Sequence, residues 1–378
     1  SIYNTDDIRA NFGQSAFTYT PPTGFSVLST ANLPTPTITD GSANFQTTLY
    51  TGTGSTLEVN QSENSTFQPD LVWIKQRNKV DNHIVNDAVR GADKALYTNG
   101  TSAEIINGSV TSFDSDGFTL GTWNNVNQSG ITAAAWQWLA NGSGSSNTDG
   151  DFTSTVSANQ TSGFSVVTWT GDGTSVVVNS IGHGLGKAPS LIIMKRRDPA
   201  DDWFVYAEPI TESYYLRLNS TAAQAIDTGN NTWGGTAPTS SVFYTEAIGS
   251  GAYNYVAYCF AEVEGFSKIG TYTGNGSADG PFFSCGFKPA FLIGKRTNTT
   301  GYWYMKDSTR GAYNVNAPLL YADLTNSEAN DYNVDFVSNG VKIRDTDASL
   351  NASGGTFVFM AFAEHPFGGD GVAPATAR

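Results

Sequence analysis

The apolar positions of this chain fall into one pattern written three times. Leu71-Val72-Trp73-Ile74 stands between Pro69 and Lys75, Leu191-Ile192-Ile193-Met194 between Pro189 and Lys195, and Phe291-Leu292-Ile293 between Pro289 and Lys295. In each case lysine follows proline by six positions, and the prolines are 120 and then 100 residues apart. A short continuous apolar run behind a proline predicts a strand buried on both faces, with the proline at its first residue. Eight positions beyond each lysine comes a ring, His83, Trp203 or Trp303. Each ring opens a second strand-like segment: His83-Ile84-Val85, Trp203-Phe204-Val205-Tyr206 and Trp303-Tyr304-Met305. The predicted element is a hairpin, used three times.

Further landmarks keep the same order. Tyr50-Thr51-Gly52-Thr53-Gly54, Trp169-Thr170-Gly171-Asp172-Gly173 and Tyr272-Thr273-Gly274-Asn275-Gly276 precede the three runs. Leu96 and Leu216 each lie 21 positions beyond their lysine. Ala133-Ala134-Ala135-Trp136-Gln137-Trp138 closes the first unit, and Phe260-Ala261-Glu262 of the second matches Phe362-Ala363-Glu364 of the third. Asp116-Gly117 and Asn339-Gly340 are tight-turn signals. Only Ser220–Ala225 could make a turn or two of helix.

The predicted fold is therefore all-β: three tandem antiparallel β-sandwich, jelly-roll-like repeats with an extended N-terminal arm. A propeller fits poorly, because blades run to about 40–50 residues and more than three are needed. The expected boundaries are an arm at 1–44, repeats at 45–142, 163–265 and 266–367, a linker at 143–162 and a tail at 368–378. The arm carries Leu33-Pro34-Thr35-Pro36-Thr37-Ile38, whose prolines favour extended backbone. The linker is a run of small polar residues.

Composition narrows the function classes. The 378 residues carry a net charge of −14 with only 14% charged side chains, so the surface is covered by Asn, Ser, Thr and Gly. An acidic chain without a Lys/Arg run has no electrostatic footprint for nucleic acid or anionic lipid. No apolar run is long enough to span a bilayer as a helix. Cys259 and Cys285 cannot make a disulfide framework and are expected to be buried thiols. The first residue is Ser, which fits a processed chain or an excerpt of a longer one.

No residue set points to catalysis. The only histidines are His83, His183 and His365, none beside a nucleophile elbow or a metal-spaced partner. The carboxylate pairs Asp114/Asp116, Asp201/Asp202, Asp345/Asp347 and Glu262/Glu264 keep a glycoside-cleaving pair in play as a minor alternative. Asp114/Asp116 and Asp345/Asp347 read as turn acids, with calcium as the sharper reading. Gly171-Asp172-Gly173 lacks the Gly-Lys-Ser/Thr of a phosphate cradle. Asn-x-Ser/Thr triplets, at Asn60, Asn107 and Asn351 for example, are expected by chance in such a chain. No catalytic residue, metal site or cofactor is expected. Lysines 75, 195 and 295, with Arg77, Arg196, Arg197 and Arg296, read first as strand ends held by ion pairs. The sharper reading groups Lys195, Arg197, Trp203, Tyr206, Lys295, Arg296, Tyr302 and Trp303 as a glycan-binding surface of aromatic faces and forked donors.

The recurring segments carry a family resemblance. Gly163–Gly171, Gly182-His183-Gly184-Leu185-Gly186-Lys187-Ala188-Pro189, Lys195-Arg196-Arg197, Tyr255–Gly265 and Gly270–Gly276 together resemble a repeat of unknown function. It is found near the C-terminus of virion proteins of tailed bacteriophages, often marine ones, and the likeness covers roughly 17–367. The stretch Phe17-Thr18-Tyr19-Thr20-Pro21-Pro22-Thr23-Gly24-Phe25 resembles the end of a SPRY-like, lectin-type β-sandwich in those proteins. The resemblance implies an extracellular virion protein, a tail fibre or similar appendage contacting the host surface without catalysis. It implies other virion subunits as partners, a homo-oligomer that by analogy with fibres is a trimer, and a bacterial surface glycan as ligand. A purely structural role in head decoration or fibre shaft is the alternative, with a polysaccharide depolymerase third.

Overall fold

The computed structural model describes residues 15–27, 32, 35–173 and 177–366. The expected tail at 368–378 and the start of the expected arm lie outside these residues. The described arm residues 15–27 form no strand, and Tyr19 and Phe25 are exposed.

The fold is all-β, built on three broad antiparallel sheets of the same strand order. In the first unit the order is Phe45–Thr51, Thr132–Trp138, Leu71–Gln76, Ile84–Asp87, Lys94–Tyr97 and Ile105–Ile106. In the second it is Phe164–Thr170, Asn254–Phe260, Leu191–Arg196, Trp203–Ala207, Tyr214–Arg217 and Ala225–Ile226. The third repeats it with Ser267–Thr273, Thr356–Pro366, Phe287–Arg296, Trp303–Asp307, Asn316–Tyr321 and Ala329–Val337, then adds Gly340–Ile343 and Phe282–Ser284. The three proline-to-lysine runs thus occupy one equivalent interior strand, flanked on both sides by neighbours.

That strand is apolar throughout because both of its faces are covered. Leu71 and Trp73 face a core common to all units, while Val72 and Ile74 face the small sheet of Leu57–Asn60, Val110–Asp114 and Gly117–Leu120. In the second unit Leu191 and Ile193 face the common core, and Ile192 and Met194 meet the pair Asn179–Gly182 and Val242–Thr245. The repeated Thr-Gly has a local cause. A Cβ on Gly52, Gly171 or Gly274 would strike the backbone oxygen of Gln128, Gly251 or Ala352 respectively. Only glycine allows the chain to pass there.

Residues 143–162, expected as a linker, contain Ser145–Asn147 and Ser154–Asn159, which extend the second sheet. Small polar residues suffice there because Ser145–Asn147 is an edge strand, solvated on its free side.

The units close on one another in a ring. Trp138, Phe260 and Phe362 hold equivalent positions, opposite Leu71, Leu191 and Phe291. Their ring centroids form a triangle with sides of 6.3, 5.9 and 5.9 Å. A pseudo-threefold axis passes between them. Backbone bonds repeat around it: Glu104 N donates to Arg197 O (2.7 Å), Gln224 N to Thr297 O (2.9 Å) and Glu328 N to Arg77 O (2.6 Å). A second set runs the other way, from Asp201 N to Thr101 O, Gly301 N to Thr221 O and Asp81 N to Thr325 O, at 2.8–3.0 Å. Each unit is bonded to the next, and the third to the first.

Candidate functional site: the three junctions

The residues that end the repeated hairpin lie at these junctions. Lys195 Nζ donates to Thr101 O of the first unit (3.0 Å) and to Asp201 O (2.7 Å). Lys295 Nζ donates to Thr221 O of the second unit (3.1 Å) and to Arg296 O (3.0 Å). Lys75 Nζ donates to the Gln76 and Lys79 carbonyls. All three amines are buried, and burial pushes each down to about 8. Trp203 Nε1 donates to Tyr97 O at 2.7 Å and Trp303 Nε1 to Arg217 O at 2.8 Å, each across a junction. His83, the third ring, accepts from Trp73 Nε1 at Nδ1, so its proton sits on Nε2. That nitrogen faces the equivalent carbonyl, Tyr321 O, without full hydrogen-bond geometry. Burial holds the imidazole well below its ordinary pKa, so it packs as a neutral ring.

Two junctions carry the same ion clamp. Between units one and two, Arg197 donates from Nε and Nη2 to both oxygens of Glu104 (2.9 and 2.8 Å), and Arg90 reaches Glu104 from the other side (2.9 Å). Arg90 also pairs with Asp87, which accepts from Tyr258 OH of the second unit at 2.8 Å. Between units three and one, Arg77 forks onto Glu328, which also takes Arg310. Arg310 pairs with Asp307, which accepts from Trp136 Nε1 of the first unit at 3.1 Å. Burial alone would raise the Glu104 and Glu328 carboxyls, but the arginine hydrogen bonds and charges outweigh it and hold both below the ordinary value. These are charge-assisted, forked and largely desolvated pairs.

The third junction, between units two and three, has none of this. Where the others place arginine, glutamate and arginine it places Thr297, Gln224 and Ile210. Asp87 and Asp307 are matched by Ala207, and the aromatic donors Tyr258 and Trp136 by Met360. The change is coordinated: every charged or polar partner is replaced together, so no buried charge is stranded.

Where the clamp is missing, a groove of about 440 Å³ opens. Its floor is a row of threonines on neighbouring strands. Thr273 pairs directly with Thr356, and Thr356 Oγ1 lies 2.8 Å from Thr297 Oγ1. Its wall is Pro209-Ile210-Thr211 with Tyr214, and Gln224 lines it as well. The lining is uncharged among the described residues. Thr211 has φ +63° and ψ 175°, a conformation otherwise reserved for glycine. A second cleft of about 340 Å³, between units three and one, carries Asp40 and Glu63 and is acidic.

The eight residues grouped from sequence as a glycan-binding surface do not come together. Lys195, Lys295, Trp203, Trp303 and Tyr206 are buried, Tyr206 against Trp233 at 5.8 Å. Arg197 is held in the clamp, and Arg296 donates to Asn298 Oδ1 and Ala348 O. Tyr302 alone is exposed, packed against Tyr321 at 4.9 Å. The tryptophans are committed as inter-unit donors, which turns them inward. Sequence reasoning missed Ile210, Gln224 and Thr297. The available signal was the odd member of each aligned triplet, Arg77/Arg197/Thr297 above all.

The other candidates have local roles. Asp114 accepts from Thr119, Asp345 from Asn333 N and Asp347 N, and Asp347 caps Ala348–Asn351. Asp201, Asp202 and Glu262 are ion-paired with Arg196, Arg217 and Lys268. Among the described residues no three His, Cys, Asp or Glu side chains converge on a metal position. Both cysteines are free and buried, and burial raises both thiols, Cys285 to about 12. No helix among the described residues is long and apolar enough to cross a membrane.

The fold and junctions define an all-β protein of three equivalent sheet units closed head to tail on a shared aromatic core. The chain belongs to the family described as Domain of unknown function (DUF7483), which matches residues 40–366. The matched span begins at Asp40, which caps Gly41–Ala43, and ends at the last residue of the strand Thr356–Pro366. No curated protein matches the chain in sequence.

Proposed function

We propose that this chain is a non-catalytic virion protein of a tailed bacteriophage, a tail fibre or comparable appendage that contacts the bacterial surface. It acts outside the cell, in a homo-oligomer (a trimer, by analogy with fibres) and among other virion subunits. The virion assignment is supported by the repeat resemblance, and surface contact by one observation: the arginine–glutamate clamp of two junctions is replaced at the third by neutral side chains, which line an open groove. The test is binding of the purified, fluorescently labelled chain to host cells and to extracted surface polysaccharide, with gold-labelled antibody locating it on the particle. Absence of binding, or a position remote from the host-contacting end, would overturn the reading.

A purely structural role is favoured by a different feature. Ile106 and Ile226 are 72% and 67% exposed at equivalent edge-strand positions, as a surface covered by neighbouring subunits would be.

A further inference from the structure

We propose that the groove between units two and three is a binding site for an uncharged saccharide, with the threonine row as its floor. This names the ligand class of the surface-contact reading above and rests on it.

The junction is not open because its backbone failed to close. Gln224 N still donates to Thr297 O at 2.9 Å, as Glu104 N does to Arg197 O. What differs is the local turn, where Thr211 N bonds Glu208 O while Gly91 N and Gly311 N bond Asp87 O and Asp307 O, and the side chains, which change from charged to neutral.

The chemistry left behind suits hydroxyls. Thr273 and Thr356 present hydroxyls that donate and accept on paired strands about 4.8 Å apart, and the buried Thr297 braces Thr356 through its own hydroxyl. Gln224 adds an amide, and the half-buried Tyr214 offers a ring for the C–H face of a sugar. The groove's size is that of a small-molecule site. Charge selects further. Glu208 and Glu212 flank the wall segment, and no cation among the described residues lines the groove to receive a carboxylate or sulfate. A uronic or sialic acid would be repelled. Thr211 stands where the other two units have Gly91 and Gly311, so at this junction alone the wall carries a β-branched side chain at a glycine position.

The experiment uses the full chain against neutral dextran and chito- and cello-oligosaccharides, acidic polygalacturonate and polysialate, and host cells. Gln224→Glu with Thr297→Arg copies the Glu104–Arg197 pair and plugs the groove. Thr273→Val with Thr356→Val keeps its shape and removes two hydroxyls. Thermal melting and circular dichroism check that each variant folds. The expected result is binding of at least one neutral glycan, lost in the plugged variant and weakened about tenfold or more in the valine variant. Equal binding by wild type and plugged variant overturns the site while leaving surface contact standing. A preference for the acidic polymers overturns the ligand class, as does cell binding without any neutral glycan. Binding to neither glycans nor cells overturns both readings.

Discussion

Asp323 is the place where the internal symmetry makes its sharpest stability prediction. At the equivalent positions Asn99 and Asn219 accept from the ring residues' backbone, His83 N and Trp203 N, each at 2.8 Å. Their amide groups donate onward to Asn82 Oδ1 and Asp202 Oδ1. Asp323 keeps the first bond, from Trp303 N at 3.1 Å, but its Oδ2 has no partner and the residue is 5% exposed. Burial pushes its carboxyl from 3.8 up to about 7, against the pull of the Lys295 charge. The folded state therefore holds a proton that the unfolded chain has lost between those two values. Stability must fall as pH rises through that window and level off above it. At about 1.4 kcal/mol per pH unit the ceiling is roughly 4 kcal/mol. Lys295 and local relaxation reduce this, so about 1–3 kcal/mol is expected. Asp323→Asn removes the titration. Urea unfolding from pH 4.5 to 8.5 should show an advantage for the variant that grows to about pH 7 and then stays flat. A pH-independent difference, or a variant less stable at pH 8.5, would refute the reasoning.

Other perturbations test the frame. Glu104→Gln removes the charge shared by the buried Arg90, which keeps only the charge of Asp87, and the partly exposed Arg197, and should cost about 1–3 kcal/mol by denaturant titration. Thr211→Gly relieves the left-handed backbone and should raise stability by about 1 kcal/mol in a thermal melt. Trp138→Ala opens a void on the axis and should cost about 3–5 kcal/mol, with far- and near-ultraviolet signals from all units still lost in one transition. Separate transitions would refute the common core. Trp303→Phe orphans the Arg217 carbonyl and should cost about 1–2 kcal/mol.

Much of the fold is legible in sequence because the buried strand, the ring eight positions on and the Thr-Gly turn each impose a local requirement three times. Closure is not legible. It is made by carbonyls such as Thr101 O, Arg197 O and Thr297 O, which carry no side-chain signature. The strands at 145–147 and 154–159 are hidden because edge strands need little apolar alternation. The groove is hidden for another reason: its signal is a difference between copies, and the eye drawn to recurring lysine and tryptophan passes over the one threonine that interrupts the series.

The placement of Thr356–Pro366 has a consequence for synthesis. This strand lies inside its sheet, between Ser267–Thr273 and Phe287–Arg296, and carries Phe362 to the axis. Until it leaves the ribosome, the two earlier units hold a half-built aromatic face open to water. A nascent chain stalled short of residue 356 should therefore be a preferred client of chaperones, and emergence of that strand the event that commits all three units to fold.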